Sequence, residues 1–127
     1  MLRVLIADDN EPVAEMLAEL VASPGRIEVV GVADSEAGVI EAIRRLEPDA
    51  VVLDLTLKAG SGTNVIRAVR ADPALKGTRL LVASNHDTPQ MRAGCMALGA
   101  DGYFDKVKEL GALAARLGEL ADARGRR

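Results

Sequence analysis

The sequence predicts a single α/β domain in which strands and helices alternate along the chain. Three observations indicate this fold class. Short apolar runs recur along the 127 residues, the segments between them have the three- and four-residue spacing of amphipathic helices, and glycine, proline and cap residues separate the two kinds. A chain of this length rarely contains a second core, so we expect one domain over residues 1–123 and a basic tail over residues 124–127.

Five apolar runs are predicted to be strands. They are rich in Val, Ile and Leu and show little alternation of polar and apolar residues, which is typical of a parallel sheet covered by helices on both faces. The predicted strands are residues 2–7, 27–32, 50–53, 80–83 and 102–104.

Five further segments are predicted to be helices, each with one apolar stripe that can pack on the sheet. The stripes consist of Val13, Met16, Leu17, Leu20 and Val21 in the first helix; Val39, Ile40, Ile43 and Leu46 in the second; Val65, Ile66 and Val69 in the third; Met91, Cys95 and Leu98 in the fourth; and Leu110, Leu113, Leu117 and Leu120 in the fifth.

Residue types at the segment ends support these boundaries. Asp9 or Asn10 can cap the first helix, which has Pro12 in its first turn, and Thr88 followed by Pro89 is a typical start for the fourth helix. Helix ends are indicated, in chain order, by Gly25, Pro48, Gly77 and Gly99.

Composition and charge exclude several classes of protein. The net charge of −3 creates no field that attracts nucleic acid, so we expect no direct nucleic-acid binding. No apolar run approaches the roughly 20 residues needed to cross a bilayer, so we expect no membrane association. Cys95 is the only cysteine and the first ten residues lack a secretory signal, which together predict a cytoplasmic protein.

Side chains with chemical function are expected just after the strands, because ligands of open parallel sheets bind outside the carboxyl ends of the strands. Three carboxylates, a hydroxyl and an ammonium group fall at such positions. They are Asp8 and Asp9 after the first strand, Asp54 after the third, Ser84 with Asn85 after the fourth, and Lys106, preceded by Asp105, after the fifth.

Bringing three carboxylates together requires a compensating cation, since two like charges about 4 Å apart repel by roughly 4 kcal/mol at an effective dielectric of 20. Oxygen ligands favour Mg²⁺, and Lys106 can supply a further positive charge. Asp54 stands alone at a strand end and is the best candidate nucleophile for phosphoryl transfer, whereas Asp8 and Asp9 are better arranged to hold metal. Ser84 can donate a hydrogen bond to a phosphoryl oxygen.

These residues and their order give the chain a family resemblance. It resembles the receiver domain of two-component response regulators from its first residue to about Ala123. The matching segments are Asp8-Asp9, Val51-Val52-Leu53-Asp54-Leu55 followed by Ser61-Gly62, Ala83-Ser84, and the run from Ala97 to Lys106 with the sequence ALGADGYFDK. The resemblance implies a flavodoxin-like, doubly wound, five-stranded parallel sheet in the order 2-1-3-4-5 with five helices.

The resemblance also implies roles for individual residues. Asp54 is the phosphoacceptor, Lys106 is the family's lysine, and Ser84 is its switch hydroxyl. Mg²⁺ would be held by Asp9, Asp54 and the backbone carbonyl of Thr56, with Asp8 acting through a bound water. The remaining roles are Tyr103 as the aromatic switch residue, and Thr56, Asn85 and His86 as positions that tune the lifetime of the phosphoryl group.

Three positions depart from the family pattern. Val107 follows Lys106 where receivers usually have a proline in a cis peptide, so we expect a trans bond or a locally altered loop. Lys58 stands where many receivers have proline, and Asn85 replaces a small residue. His86, the only histidine, also admits a simpler interpretation as an exposed loop residue.

The resemblance predicts a phosphoacceptor protein rather than an enzyme: a two-component or phosphorelay switch that assists its own phosphorylation and dephosphorylation. Its expected partners are a sensor histidine kinase or histidine phosphotransfer protein, and a downstream target on the surface of helix 4, strand 5 and helix 5, where a homodimer is also possible. We expect a stand-alone receiver. The alternative is a pseudo-receiver, an interaction module regulated without phosphorylation.

Overall fold

The computed structural model describes residues 1–125 and confirms the predicted alternation of strands and helices. The strands of the main sheet are β1 (Leu2–Ala7), β2 (Ile27–Ala33), β3 (Ala50–Leu53), β4 (Arg79–Ser84) and β5 (Gly102–Asp105). The helices are α1 (Glu11–Val21), α2 (Glu36–Leu46), α3 (Gly62–Ala71), α4 (Pro89–Leu98) and α5 (Leu110–Gly125). The five strands are parallel and lie in the predicted order β2-β1-β3-β4-β5.

The sheet separates two apolar layers. Leu5, Val51 and Leu53 face α2, α3 and α4, whereas their strand neighbours Val4 and Val52 face α1 and α5. Successive strand residues point to opposite faces, and both faces are covered, so nearly every residue of the central strands is apolar. This is why the strands read as continuous apolar runs in the sequence.

Helix caps lie where residue types predicted them. The Asn10 side chain accepts a hydrogen bond from the Val13 amide at 3.0 Å and begins α1, and Thr88 accepts one from Met91 at 3.1 Å and begins α4. Gly99 ends α4 with a φ of 115°, a left-handed conformation that costs glycine little.

The apolar stripe predicted for α1 is partly wrong. Met16 and Leu20 are 39% and 40% exposed, and the buried face of the helix consists of Ala14, Leu17 and Val21. A stripe that includes both Met16 and Leu20 is wider than the contact between one helix and the sheet. Helical spacing alone does not identify which edge of such a stripe is buried.

Two short elements of the structure were not predicted from the sequence, whereas the expected trans bond after Lys106 is confirmed. A two-residue antiparallel hairpin pairs Thr56–Leu57 with Gly60–Ser61, and a 3₁₀ turn covers Pro73–Leu75. The Lys106–Val107 peptide bond is trans, as expected for a non-proline bond.

Helix α5 extends to Gly125 and so includes the first residues of the predicted basic tail. Arg124, at the start of the predicted basic tail, lies in the last turn of that helix and pairs with Asp49 at 2.7 Å, while Arg126 and Arg127 fall outside the described residues. Within residues 1–125 no helix combines the length and the apolar character needed to cross a membrane.

Candidate functional site

The sheet register brings the predicted site residues to one edge. Ala7 pairs with Leu53, so the next residues, Asp8 and Asp54, leave adjacent strands side by side. The Asp54 amide donates to the Ala7 carbonyl at 2.8 Å, which continues the ladder past the last strand residue. Ser84 of β4 pairs with Asp105 of β5, so the next residue, Lys106, lies at the same edge of the sheet.

Three carboxylates converge there. Asp8 and Asp54 are 1% and 6% exposed, Asp9 is half-buried, and one oxygen from each lies within 4.8 Å of the others. The Lys106 ammonium lies 2.5 Å from Oδ2 of Asp8 and 3.0 Å from Oδ2 of Asp54. The structure therefore brings together the acidic cluster and the lysine that the sequence predicted.

The donor set of this cluster fits a hard divalent cation. Three carboxylates and one ammonium leave two uncompensated negative charges, and all the acidic donors are oxygen atoms. Lys106 makes ion pairs with Asp8 and Asp54, whereas Asp9 has no ion pair among those of residues 1–125. These groups match the oxygen chemistry of Mg²⁺ better than that of a thiolate- or imidazole-binding metal.

Opposing effects act on the Asp54 carboxyl. Burial raises its pKa above the ordinary value, and the Asp8 charge acts in the same direction; the Lys106 ammonium and a hydrogen bond from the Thr56 amide oppose both. The Thr56 amide lies 3.2 Å from Oδ1 of Asp54. A cation at the cluster would favour the ionised carboxylate, which is the nucleophilic form.

A cavity of about 180 Å³ opens onto the cluster. Its wall includes the three residues predicted to tune phosphoryl lifetime, Thr56, Asn85 and His86, all of them exposed. A second cavity of about 390 Å³ lies on the other side of Asp8 and Asp9 and is bounded by Lys58. The acidic cluster is thus accessible from solvent although two of its carboxylates are buried.

The two predicted switch residues occupy the β4 and β5 side of the site. Ser84 is fully buried, and its hydroxyl accepts a hydrogen bond from the His86 amide at 3.0 Å. Tyr103 is 4% exposed, its hydroxyl donates to the His86 carbonyl, and burial raises the pKa of its phenol. Tyr103 therefore lies in an inward orientation.

Sequence reasoning missed the residues that brace the loop after Asp54. The Lys58 amide donates to the Asp34 carbonyl at 2.8 Å, and the Lys58 ammonium pairs with the Asp34 carboxylate at 3.0 Å. Glu36 holds the other end of the same loop, since its Oε1 accepts a hydrogen bond from the Ser61 amide at 3.0 Å. The loop is therefore bound to two acidic side chains, those of Asp34 and Glu36. Charged residues more than 20 positions apart give no periodic signal, so only the fold reveals these contacts.

Comparison with known proteins identifies close structural and sequence relatives. A family model described as the response regulator receiver domain matches residues 4–118. The chain is 33% identical over 104 residues to the probable transcriptional regulatory protein NarL of Mycobacterium tuberculosis, and 34% identical over 115 residues to the DNA-binding response regulator MtrA of Mycolicibacterium smegmatis. These matches cover 82% and 91% of this chain but only 47% and 48% of the relatives, so it spans about half their length.

Solved structures give the same result. The signal receiver domain of the putative response regulator NarL from M. tuberculosis superposes with a TM-score of 0.85 at 30% identity, covering 95% of this chain and 96% of that one. A putative response regulator from Chloroflexus aurantiacus gives a TM-score of 0.82 at 29% identity, covering 94% and 97%.

Proposed function

The chain belongs to the response regulator receiver domain family, and from that premise we propose that it is a phosphorylation-activated switch whose phosphoacceptor is Asp54. The observation that carries the proposal is the convergence of Asp54 with Asp8, Asp9 and Lys106 at a solvent-accessible edge of the sheet. The donor is a sensor histidine kinase or a histidine phosphotransfer protein, and the switch belongs to a two-component system or phosphorelay.

The transfer step uses the Asp54 carboxylate as nucleophile. One of its oxygens forms a bond to phosphorus while the N–P bond of the donor phosphohistidine breaks, and the electron pair returns to the imidazole nitrogen. Lys106, already 3.0 Å from Asp54, neutralises charge on the phosphoryl oxygens, and the Ser84 hydroxyl turns toward one of them.

Mg²⁺ fits the residues at this edge. Asp9, Asp54 and the Thr56 carbonyl would hold the ion, with Asp8 acting through a water. When bound, the ion supplies charge neutralisation for the transferred phosphoryl group. The chain assists its own phosphorylation and dephosphorylation without acting on a separate substrate, and the residues that set the lifetime of the acyl phosphate are Thr56, Asn85 and His86.

The output depends on Ser84 and Tyr103. Movement of Ser84 toward the phosphoryl group alters the packing of Tyr103 and hence the surface formed by α4, β5 and α5, which docks a target protein or a second copy of the chain. The relatives NarL and MtrA are named as transcriptional and DNA-binding regulators. For this chain the net charge of −3 favours protein partners over direct contact with nucleic acid.

A single experiment tests the phosphoacceptor. The chain is incubated with acetyl phosphate and Mg²⁺, and the intact mass is measured for one added phosphoryl group; D54N serves as the matched variant. We expect one adduct on the native chain and none on D54N. A native chain without an adduct, in conditions where it remains folded, would instead support the pseudo-receiver alternative.

A further inference from the structure

The loop between β5 and α5 carries Lys106 and is closed by hydrogen bonds rather than by a proline ring. Oδ1 of Asp105 accepts from the amides of Val107 and Lys108 at 2.7 and 3.0 Å. Glu109 donates its amide to the Asp105 carbonyl at 2.9 Å and accepts from the Asp105 amide at 3.1 Å. The conformation of the Lys106 loop therefore depends on this reciprocal pair.

Arg92 extends from α4 to the same pair. Its guanidinium donates to Oε1 of Glu109 at 2.7 Å, to Oδ1 of Asp87 at 2.9 Å and to the backbone carbonyl of Tyr103 at 2.7 Å. The guanidinium carbon also lies 4.9 Å from the centre of the Tyr103 ring. One planar side chain thus joins α4, the β4–α4 loop, β5 and the start of α5, a geometry that lysine cannot reproduce.

Tyr103 is held from two sides. Arg92 contacts its ring and its carbonyl, and its hydroxyl donates to the carbonyl of His86. His86 in turn donates its amide to the Ser84 hydroxyl at 3.0 Å. A continuous set of contacts therefore connects Arg92 to Ser84 through Tyr103, and to the Lys106 loop through Glu109.

We propose that Arg92 is a positioning residue for the phosphoacceptor site: it holds Tyr103 buried and, through Glu109, holds the loop that carries Lys106. The proposal rests on the proposed function, because it concerns the same site. Each of the ion pairs is partly exposed and contributes little alone, so the effect of Arg92 depends on all of its contacts forming together.

Arg116 offers a matched control. Its guanidinium carbon lies 5.8 Å from the ring centre of Phe104, and it donates to the Asp101 carbonyl at 3.2 Å. It is therefore also an arginine over a buried aromatic ring of β5, but on the opposite face of the sheet and without a contact to Glu109 among the hydrogen bonds and ion pairs of residues 1–125.

The first readout is the burial of Tyr103 itself. The chain has one tyrosine and no tryptophan, so its intrinsic fluorescence reports Tyr103 alone. Quenching by iodide is measured without metal on R92Q, E109A and R116Q. We expect the quenching constant to rise about two- to fivefold in R92Q, as for the loss of one cation–π contact. It should rise less in E109A, which removes one partner of Arg92 but keeps the arginine, and stay at the native value in R116Q.

The second readout is the initial rate of adduct formation with acetyl phosphate and Mg²⁺, followed by intact mass. R92Q and E109A both release the Lys106 loop, so both are expected to react about fivefold more slowly, the effect of roughly one hydrogen bond. R116Q is expected to react at the native rate. Circular dichroism verifies that each variant is folded. If R92Q is not, R92K is used in its place; it is expected to slow adduct formation, because an ammonium cannot reproduce the planar fork that donates to Glu109, Asp87 and the Tyr103 carbonyl, and a native-like rate in R92K overturns the positioning role.

The outcomes separate this inference from the proposed function. A native chain that forms no adduct defeats the proposed function, and the quenching experiment still tests whether Arg92 holds Tyr103. Native-like quenching in folded R92Q, or a native-like rate in folded E109A where the native chain does react, overturns the positioning role of Arg92.

Discussion

The Lys106 ammonium lies 3.0 Å from the Asp54 carboxylate, and both side chains are less than one-tenth exposed. The same ammonium contacts Asp8, so one buried cation is shared by two buried anions. Buried ion pairs differ from surface pairs because removing one partner leaves a charge that water cannot solvate. Replacing Lys106 is therefore expected to destabilise the fold as well as to change the charge of the site.

Replacing Lys106 with methionine is expected to lower the free energy of unfolding by about 3 kcal/mol in the absence of divalent metal, because Asp8 and Asp54 lose their counter-charge. Mg²⁺ is then expected to raise the melting temperature of K106M more than that of the native chain. Thermal unfolding with and without Mg²⁺ measures both effects. K58M is the control: Lys58 pairs with Asp34 but its side chain is 65% exposed, so we expect a loss below about 1 kcal/mol. Equal losses in the two variants would contradict the argument.

Tyr103 is expected to ionise at a higher pH in the folded chain than in urea, because burial raises the pKa of its phenol. The phenolate absorbance reports this residue alone, since the chain has no other tyrosine. A raised folded-state pKa means that the contribution of the neutral phenol to stability is complete below the unfolded pKa and is lost as the pH rises through the folded one. The free energy of unfolding of the native chain should therefore fall more than that of Y103F in alkaline solution. If the two chains gave parallel curves of stability against pH, folding would not shift the pKa of Tyr103.

The sequence predicted the main features of the fold because those features depend on local pattern. Continuous apolar runs identified the strands, and the residue after each strand identified Asp8, Asp54, Ser84 and Lys106. Arg92 has no such signal: it meets Glu109 only because α4 and α5 flank the same strand. A contact of this kind follows from tertiary packing, which periodicity does not encode.

The exposure of Met16 and Leu20 has a similar origin. Their spacing fits a helix face, and α1 is indeed a helix, but burial is decided by the width of the contact with the sheet and α5. The hairpin after Asp54 was missed for a different reason. Its strands are two residues long, shorter than any window in which alternation is detectable.

Gly62 is expected to be intolerant of alanine. A Cβ atom there would collide with the Asp54 carbonyl oxygen and lie 2.9 Å from the Leu55 Cα, and both are backbone atoms that cannot rotate away. We expect G62A to lower the free energy of unfolding by about 1–3 kcal/mol and to slow adduct formation on Asp54. G94A is the matched control, because Gly94 lies in α4 with open space around it and alanine there should stabilise the chain by about 1 kcal/mol. Chemical denaturation of both variants measures the difference, and a neutral G62A would mean that the loop after Asp54 shifts easily.

Glu36 is expected to make the stability of the Asp54 loop sensitive to acid. Hydrogen bonds from the Asn64 side chain and the Ser61 amide lower the pKa of Glu36 below its ordinary value of 4.5. A lowered folded-state pKa contributes stability above the unfolded pKa, and that contribution is lost as the pH falls through the folded value. The stability difference between the native chain and E36Q should therefore be largest near neutral pH and shrink below about 4.5, because protonated Glu36 resembles glutamine. Denaturation at several pH values measures this difference, in which the titration of groups common to both chains cancels. A constant difference for E36Q would mean that the ionised carboxylate does not brace the loop.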